Sequence, residues 1–445
     1  MKPIKYLLVG FCFFNVLALE AQVVEYVRAS WREDPSRTLS LIWNAPSEDG
    51  LEHTLYYDTK DHGQNVNSYA YKSRSHFVRD YKGMQNTYVR LSDLVPGERY
   101  YFLIQTPEGT SRRYWFETIP DSKSSRLSFI AGGDSRTNHF ARKRGNELVA
   151  KLRAHAVFFD GDMTTFGTGW EWRRWMDHWQ ETIAPDGRIT PIIVARGNHE
   201  KSDRMVQYLF DTPRKAYYHL TFADGLFDSF ILNSEGVIGG DQTRWLESSL
   251  IKSHERQATW RFSMYHVPMR PHTDNKPFGT HQYRYWAPLF HQYDVQLIME
   301  GDSHTVKTTY PLRPTSQDGH EDGFVRDDMT GNVYIGEGTW GAPLRDNNND
   351  RSWTRSSGSF AQFKWIFVDK DKMEIRTVLF EDIDRVDYVH EDQRFEIPKG
   401  LQLWKDRNGD VAVVISNRNL YFQVPYRDAQ FDIHLELERL MASIF

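Results

Sequence analysis

The sequence predicts an α/β protein that carries an additional all-β sandwich at its N-terminal end. Short strand patterns separated by turns fill residues 22–119. From residue 126 onward, strand patterns alternate with helical patterns, which is typical of βαβ units. Five of these strands are apolar runs that end in polar side chains, and ligands bind at such carboxyl ends in open α/β sheets. The length of 445 residues allows about two or three domains.

The first residues have the pattern of a secretory signal peptide. Lys2 and Lys5 precede the largely apolar stretch Tyr6–Leu19, and Ala21 stands at a suitable cleavage position. A membrane anchor is the alternative, but the stretch is shorter than the ~20 residues that a span needs. We therefore expect residues 1–21 to be removed, and the mature protein to be secreted or periplasmic without a membrane span.

Cysteine content and charge exclude several kinds of site. Cys12 is the sole cysteine and lies inside the predicted signal, so the mature chain has no disulfide and no thiolate metal ligand. Phe11 before it is too bulky for a typical lipoprotein processing site. The net charge of -5 provides no basic footprint for nucleic acid, and we expect no nucleic-acid partner.

The predicted β-domain, residues 22–119, is defined by short alternating segments. The first, Thr38–Trp43, alternates with a period near two, and a turn signal at Leu94–Gly97 precedes the strand at 100–104. Further strands are predicted at 55–57, 87–91 and 114–116. The order Leu-x-Pro-Gly-x-x-Tyr-Tyr resembles a fibronectin type III-like domain. We expect Trp43 in the core rather than in a binding site. A polymer- or surface-binding role for this domain remains an alternative.

The second half of the chain is predicted to begin after a polar linker at 120–125. Helices are predicted at 139–153, 170–182, 241–253 and 285–293, and later strands at 332–335, 360–368 and 373–379. Trp172, Trp175 and Trp179 recur at helical spacing; such a stripe is more often a buried face than a substrate grip. Residues 381–445 form an extension of unknown role, with one strand predicted at 411–415 and a segment at 431–444 that lacks a clear period.

The polar residues at the strand ends are all oxygen or nitrogen donors. They are Asp134, Asp162, Asn198, His266, Asp302 and His304. Carboxylates and imidazoles suit Mn, Fe or Zn, whereas calcium prefers nearly all-oxygen sites. One carboxylate can bridge two metal ions about 3.5–4 Å apart. A single Asp after a strand is commonly a turn or cap residue, but the complete series favours a metal centre.

These motifs resemble those of the calcineurin-like metallophosphoesterases. The series is Gly133-Asp134, Gly161-Asp162, Gly197-Asn198-His199-Glu200, Tyr265-His266 and Gly301-Asp302-Ser303-His304. With the β-domain in front, the chain is similar to the purple acid phosphatase branch. The catalytic resemblance covers residues 126 to about 310. It implies a four-layer β-sandwich flanked by helices over 126–380.

The resemblance also implies a role for each matching position. Asp162 matches the bridging ligand of two divalent metal ions. Asp134 and His304 match ligands of the first ion; Asn198, His266 and the position of Asp302 match ligands of the second. His199 matches the residue that contacts the phosphate and protonates the leaving oxygen.

Three positions depart from the family pattern. Arg136 replaces a His. Its guanidinium has no lone pair for a metal. It either donates two hydrogen bonds to phosphate oxygens or pairs with a carboxylate. Thr165 replaces the tyrosinate of the purple branch, so we expect no purple colour. Asp302 replaces a His. Together with Asp134, Asp162 and a bridging hydroxide, it would neutralise two divalent ions.

The sequence therefore predicts a secreted dinuclear-metal phosphoester hydrolase in which a metal-bound hydroxide attacks phosphorus. His199 and Arg136 are the predicted catalytic residues. His272, in the loop after His266, is either a helper or an ordinary surface residue. A phosphodiesterase or nucleotide-sugar hydrolase is an alternative within the enzyme class. An alternative outside the enzyme class is a metal- or carbohydrate-binding protein on the same scaffold that has lost catalytic activity. The three departures from the family pattern would favour it.

Overall fold

The computed structural model describes residues 23–45 and 52–417. The predicted signal peptide at 1–21 and the segment 431–444 lie outside the described residues. Within the described ranges, none of the helices has both the length and the apolar character needed to cross a membrane.

The N-terminal part is the predicted all-β sandwich. Its strands are β1 Glu25–Ser30, β2 Leu39–Asn44, β3 Thr54–Asp58, β4 Tyr71–Arg74, β5 Phe77–Tyr81, β6 Met84–Leu91, β7 Arg99–Thr106, β8 Gly109–Thr110 and β9 Tyr114–Glu117. One sheet has the order β1-β2-β6-β5, and the other has the order β4-β3-β7-β8 with β9 paired to β7. Trp43 is fully buried, and its Nε1 donates to His53 Nδ1 at 2.9 Å. The expectation that Trp43 belongs to the core is confirmed.

Two larger sheets follow. Their strands, with a short hairpin β18–β19, are β10 Leu127–Gly132, β11 Ala156–Phe159, β12 Ile192–Val194, β13 Tyr218–Phe222, β14 Phe227–Ile231, β15 Trp260–Met264, β16 Leu297–Glu300, β17 Val306–Thr309, β18 Leu312–Pro314, β19 Phe324–Arg326, β20 Val333–Gly336, β21 Thr354–Gly358, β22 Gln362–Val368, β23 Lys372–Leu379 and β24 Val413–Ser416. The first sheet has the order β12-β11-β10-β22-β23-β24, and the second β13-β14-β15-β16-β20-β17-β21.

The two larger sheets pack face to face through aromatic side chains. Phe129 on β10 lies 4.9 Å from Phe227 on β14, and Phe158 on β11 lies 5.0 Å from Phe262 on β15, measured between ring centroids. The neighbouring strands β10, β11 and β12 are parallel in the first sheet, and β14, β15 and β16 are parallel in the second. This arrangement brings the ends of strands from both sheets toward one site.

Helices cover the outer faces of the two sheets. They are α1 His139–Leu152, α2 Gly169–Trp179, α3 Asp203–Phe210, α4 Asp241–Glu255 and α5 Thr280–Gln292. Residues of α1 and α2 share a core with the first sheet, whereas α4 and α5 share one with the second. The four-layer α/β class is thereby confirmed.

The tryptophan stripe of α2 is core, as expected. Trp172, Trp175 and Trp179 are at most 1% exposed, and the rings of Trp175 and Trp179 stack at 5.0 Å. Helix α2 begins with a capping box in which Thr168 and Glu171 satisfy each other's backbone N–H groups. It ends earlier than predicted, because residues 180–182 form a 3-10 turn.

Two helix predictions were incomplete. Helix α3 was not predicted; it has only eight residues and follows directly on the Gly197–Glu200 motif. Helix α5 begins at Thr280, ahead of the predicted start at 285. Within the extension, the strand predicted at 411–415 lies at 413–416 and pairs antiparallel with β23.

Candidate metal centre

Each predicted ligand stands in a loop that follows a strand of one of the two facing sheets. Asp134 follows β10, Asp162 follows β11 and Asn198 follows β12 in the first sheet. His266 follows β15, and the Asp302–His304 motif follows β16, in the second sheet. Because β10, β11 and β12 are parallel in the first sheet, and β15 and β16 in the second, these loops converge at one edge of the sandwich.

The first group of potential ligands consists of Asp134, Asp162 and His304. One donor atom from each lies within 4.8 Å of the others. His304 Nε2 is 3.2 Å from Asp134 Oδ1, and its Nδ1 lies 2.7 Å from the carbonyl of Pro343. Since a carbonyl can only accept a hydrogen bond, Nδ1 carries the ring proton and donates to it, and the lone pair of Nε2 faces the carboxylates.

The second group is centred on His266. Its Nε2 lies 3.3 Å from Asp162 Oδ1, 3.6 Å from Asp302 Oδ1 and 3.1 Å from Asn198 Oδ1. Its Nδ1 lies 3.0 Å from the carbonyl of Asp160. Asp162 belongs to both groups, so the structure places this carboxylate between two adjacent candidate cation positions.

Three buried atoms of these groups lack hydrogen-bond partners within the described chain. Asp134 Oδ1, Asp162 Oδ2 and His304 Nε2 make no hydrogen bond there. Asp134 and Asp162 are fully buried, and His304 is 1% exposed. A buried acceptor without a partner costs about 1–3 kcal/mol, and more when it is charged. The donor set and its unsatisfied atoms therefore fit bound metal ions.

The ligand loops hold unusual backbone conformations. Asp134, Asp162, Asp302 and His304 have φ between 53° and 63°, in the left-handed region. This conformation costs roughly 1–2 kcal/mol per non-glycine residue. Gly161 supports it: with φ of 114°, a Cβ there would lie 2.5 Å from the Gly197 nitrogen. Backbone strain at ligand positions is typical of a functional site.

Charge couples the two ligand groups. Burial alone would raise the pKa of Asp162, but His266 and His199 outweigh that effect and hold the pKa of this carboxyl well below its usual range. Burial alone would lower the pKa of His266, yet Asp162 and Asp134 raise it well above the usual value. The carboxylates thus attract positive charge into this cavity, either a proton on His266 or a cation.

Sequence reasoning assigned no role to Asp160, although it ends the same strand as Asp162. Asp160 is fully buried, and neither of its carboxylate oxygens has a hydrogen-bond partner among residues 23–45 and 52–417. It forms a third potential ligand group with Asp134 and His266. Burial, and then the charge of Asp134, raise the pKa of Asp160 well above its usual value. Its position directly after β11 is the sequence feature that could have identified Asp160 as a site residue.

Glu200 was quoted as part of the motif without a role, and the structure assigns it one. Its carboxylate accepts the backbone N–H groups of Asp162 at 2.9 Å, Met163 at 3.0 Å and Gly197 at 2.8 Å. It therefore ties the two ligand loops of β11 and β12 together.

His199 lies beside the centre without joining a ligand group. Its backbone N–H donates to Asp162 Oδ1 at 2.9 Å, and its Nδ1 hydrogen-bonds the carbonyl of Thr165. The Nε2 atom lies 3.6 Å from Asp162 Oδ2. Since the carbonyl accepts from Nδ1, Nε2 is free to accept or deliver a proton toward the site. Thr165, which replaces a tyrosine, contributes its backbone to this orientation.

Arg136 makes no ion pair within the described chain. Its Nε is buried and has no hydrogen-bond partner, and the residue is half-buried. Its backbone nitrogen lies 3.5 Å from the carbonyl of Asp162. Of the two alternatives for Arg136, pairing with a carboxylate is therefore wrong for this structure.

Two cationic side chains at Asp302 were not found from the sequence. Lys276 Nζ lies 2.5 Å from Asp302 Oδ1, and Arg345 Nη1 donates to the Asp302 carbonyl at 2.7 Å. Lys276 offsets the negative charge that Asp302 introduces. The expectation that this carboxylate leaves the centre neutral omitted that ammonium group.

His272 is neither a surface residue nor a member of the ligand groups. It is fully buried, with Nε2 2.8 Å from Thr354 Oγ1 and Nδ1 3.7 Å from Glu337 Oε1. Glu337 also pairs with the buried Lys307. The surface alternative for His272 is wrong, because the residue is buried in a polar network with Thr354 and Glu337.

Comparisons with known proteins identify both parts of the chain. Residues 24–118 match the purple acid phosphatase N-terminal domain, and residues 131–306 match the calcineurin-like phosphoesterase family. Human acid phosphatase type 7 is 24% identical over 261 residues, covering 50% of this chain and 57% of that protein. An uncharacterized protein of Mycobacterium tuberculosis is 24% identical over 286 residues, covering 53% and 54%. The chain spans about half the length of these curated relatives.

Solved structures share the fold. The purple acid phosphatase PPD1 from yellow lupin (Lupinus luteus) seeds superposes with a TM-score of 0.69 at 15% identity, covering 89% of this chain and 74% of that one. A structure of PhoD gives 0.64 at 11% identity, covering 96% and 99%. Residues 131–306 are thus a calcineurin-like phosphoesterase domain, and residues 24–118 in front of it are an N-terminal domain of the purple acid phosphatase type.

Proposed function

We propose that this protein is a metal-dependent phosphoester hydrolase that uses two divalent ions and acts as a phosphatase. The observation that carries the proposal is the position of Asp162, a fully buried carboxylate common to two groups of unsatisfied donors. Asp134 and His304 would hold one ion with Asp162; Asn198, His266 and Asp302 would hold the other. Bound metal ions polarise a phosphoryl group and lower the pKa of water.

The residues around the centre supply the remaining functions. Arg136, which makes no ion pair in the described chain, would bind phosphoryl oxygens with its guanidinium fork. His199 would deliver a proton from Nε2 to the leaving oxygen, while the Thr165 carbonyl holds its Nδ1 proton. Glu200 would keep the ligand loops in register through its three backbone contacts.

Hydrolysis assays test this proposal. The mature protein, reconstituted with Mn, Fe or Zn, should hydrolyse p-nitrophenyl phosphate and lose this activity on chelation. Faster hydrolysis of bis(p-nitrophenyl) phosphate would favour the phosphodiesterase alternative. Tight binding of two metals per chain without turnover of either ester would favour a decayed metal-binding protein.

The division of the chain and its location are also proposals. We propose a fibronectin type III-like unit at 22–119, a phosphoesterase unit at 126–380 and an extension at 381–445, with residues 1–21 as a cleaved secretory signal. The described part of the extension adds β24 to the first sheet, and Arg394 in it pairs with Glu117 at 2.5 Å. N-terminal sequencing of the exported protein would test the cleavage site.

A further inference from the structure

A strongly basic cavity lies where the N-terminal sandwich meets helix α3. Its volume is about 350 Å³, and its lining includes none of the candidate metal ligands. Five arginines and one carboxylate supply the charges of the lining: Arg32, Arg79, Arg90, Arg204, Arg214 and Asp211. The cavity therefore holds an excess of positive charge in a protein whose net charge is -5.

The single carboxylate, Asp211, is already saturated by hydrogen bonds. It is 3% exposed and accepts from Arg90 Nε at 2.8 Å, Arg90 Nη2 at 2.7 Å and Arg32 Nη1 at 3.0 Å. Ser40 Oγ also donates to it at 2.8 Å. Asp211 thus fixes two guanidinium groups and joins the domains, but it cannot neutralise the other arginines.

The other three arginines have no acidic partner within 4 Å in the described ranges. Arg204 and Arg214 are exposed. The guanidinium of Arg79 lies 4.6 Å from the centre of the Tyr208 ring and 5.3 Å from that of Phe77, which orients its plane. Like charges gathered in a concave surface raise the local potential and concentrate anions there.

Thr212 supplies a second, independent observation. It lines the same cavity, it is 4% exposed, and its hydroxyl Oγ1 makes no hydrogen bond with the described residues. Buried polar side-chain atoms nearly always have a partner, so an unpaired one needs an explanation. A ligand oxygen in the cavity would be such a partner.

We propose that this cavity binds an oligophosphate group. Arginine forks match phosphate oxygens in geometry as well as charge, and several guanidinium groups without acidic partners around one cavity favour an anion with several negative charges. The volume is at the small end of ligand sites, which suits a short chain of phosphates. The group could be free or carried by a nucleotide.

Calorimetric titration of the metal-free protein tests this site separately from hydrolysis. Chelation removes the metals, so neither binding at the metal centre nor turnover contributes to the signal. Sodium tripolyphosphate should bind with one site per chain, more tightly than orthophosphate, and more weakly as salt is added. ATP binding equal to tripolyphosphate would assign the site to the phosphates alone; tighter ATP binding would add a nucleoside contact.

Substitutions locate the binding. Arg204→Ala/Arg214→Ala should weaken tripolyphosphate binding about 100-fold, and Thr212→Val about tenfold. The charge-matched control Lys215→Ala/Arg244→Ala changes exposed residues that do not line the cavity and should bind as the wild type does. No binding by the wild type at low salt, or equal weakening in the control, would overturn the proposal. Circular dichroism verifies that each variant is folded.

Discussion

Lys276 Nζ lies 2.5 Å from Asp302 Oδ1, so an ammonium group lies against the carboxylate proposed as a ligand of the second metal. Asp302 Oδ1 is also 3.6 Å from His266 Nε2, within the second ligand group. If Asp302 holds the second metal as proposed, the ammonium and the metal ion would compete for its carboxylate. With a metal bound there, Lys276 would be a positive group available to phosphate.

Replacing Lys276 by Gln should change two affinities in opposite directions. The second metal should bind about tenfold more tightly, because its carboxylate ligand is free, whereas orthophosphate inhibition should weaken by a similar factor. Metal titrations and inhibition constants measure the two effects. Lys276→Arg keeps the positive charge, so its changes in metal affinity and in orthophosphate inhibition should both be smaller than those of Lys276→Gln. Parallel changes in both affinities would contradict the competition.

The proposed bridging role of Asp162 predicts a loss of both metals. Asp162→Ala removes the one carboxylate common to the two groups, so elemental analysis should show less than one metal per chain and activity should vanish. Asp186→Ala, which removes a carboxylate that pairs with Arg153, is the control and should retain the metals. Two metals per chain in the Asp162 variant would refute the bridging role.

His199 should affect chemistry without affecting metal binding. Its Nε2 is 3.6 Å from Asp162 Oδ2, but it belongs to no ligand group. His199→Ala should keep the metal content and lower the rate about 10²–10⁴-fold, as expected for loss of a general acid. The loss should be smaller for p-nitrophenyl phosphate than for an alkyl phosphate, whose leaving group needs a proton. Equal losses would argue for phosphate binding alone.

Lys364 should make stability depend on pH in the alkaline range. It is fully buried on β22, and burial lowers its pKa from 10.5 to about 7. Between these two values the unfolded chain binds more protons than the folded one, so stability due to this group rises with pH. Below pH 7 the native state bears a penalty on the order of 3–5 kcal/mol.

Lys364→Met should therefore be more stable than the wild type at pH 7, and the difference should shrink steadily toward pH 10. Denaturant unfolding at several pH values measures this trend. Lys370→Met, at an exposed position in the turn before β23, is the matched control and should show no such trend. A difference that grows with pH would contradict the assigned cause.

Asp134, Asp162, His266, Asp302 and His304, which the structure groups together, could be named from the sequence because their signals are local. An apolar run followed by Gly-Asp or Gly-Asn-His indicates both the end of a strand and a side chain that can bind a metal. Parallel strands place such ends at the same edge of a sheet. The helical spacing of Trp172, Trp175 and Trp179 likewise reported a buried face. These patterns need no knowledge of how the sheets pack.

Only the tertiary structure decided which side chains meet across loops. Lys276 approaches Asp302 from another loop, and Arg90 and Asp211 meet across the junction of the sandwich and α3. His272 is buried in a polar network, and Asp160 is buried without a hydrogen-bond partner in the part of the chain that the structure describes. A loop cation has the same composition whether it faces water or a carboxylate. The packing of the two sheets decides the partner of Lys276, and the junction of the sandwich with α3 decides that of Arg90. Neither can be read from the local spacing of residues.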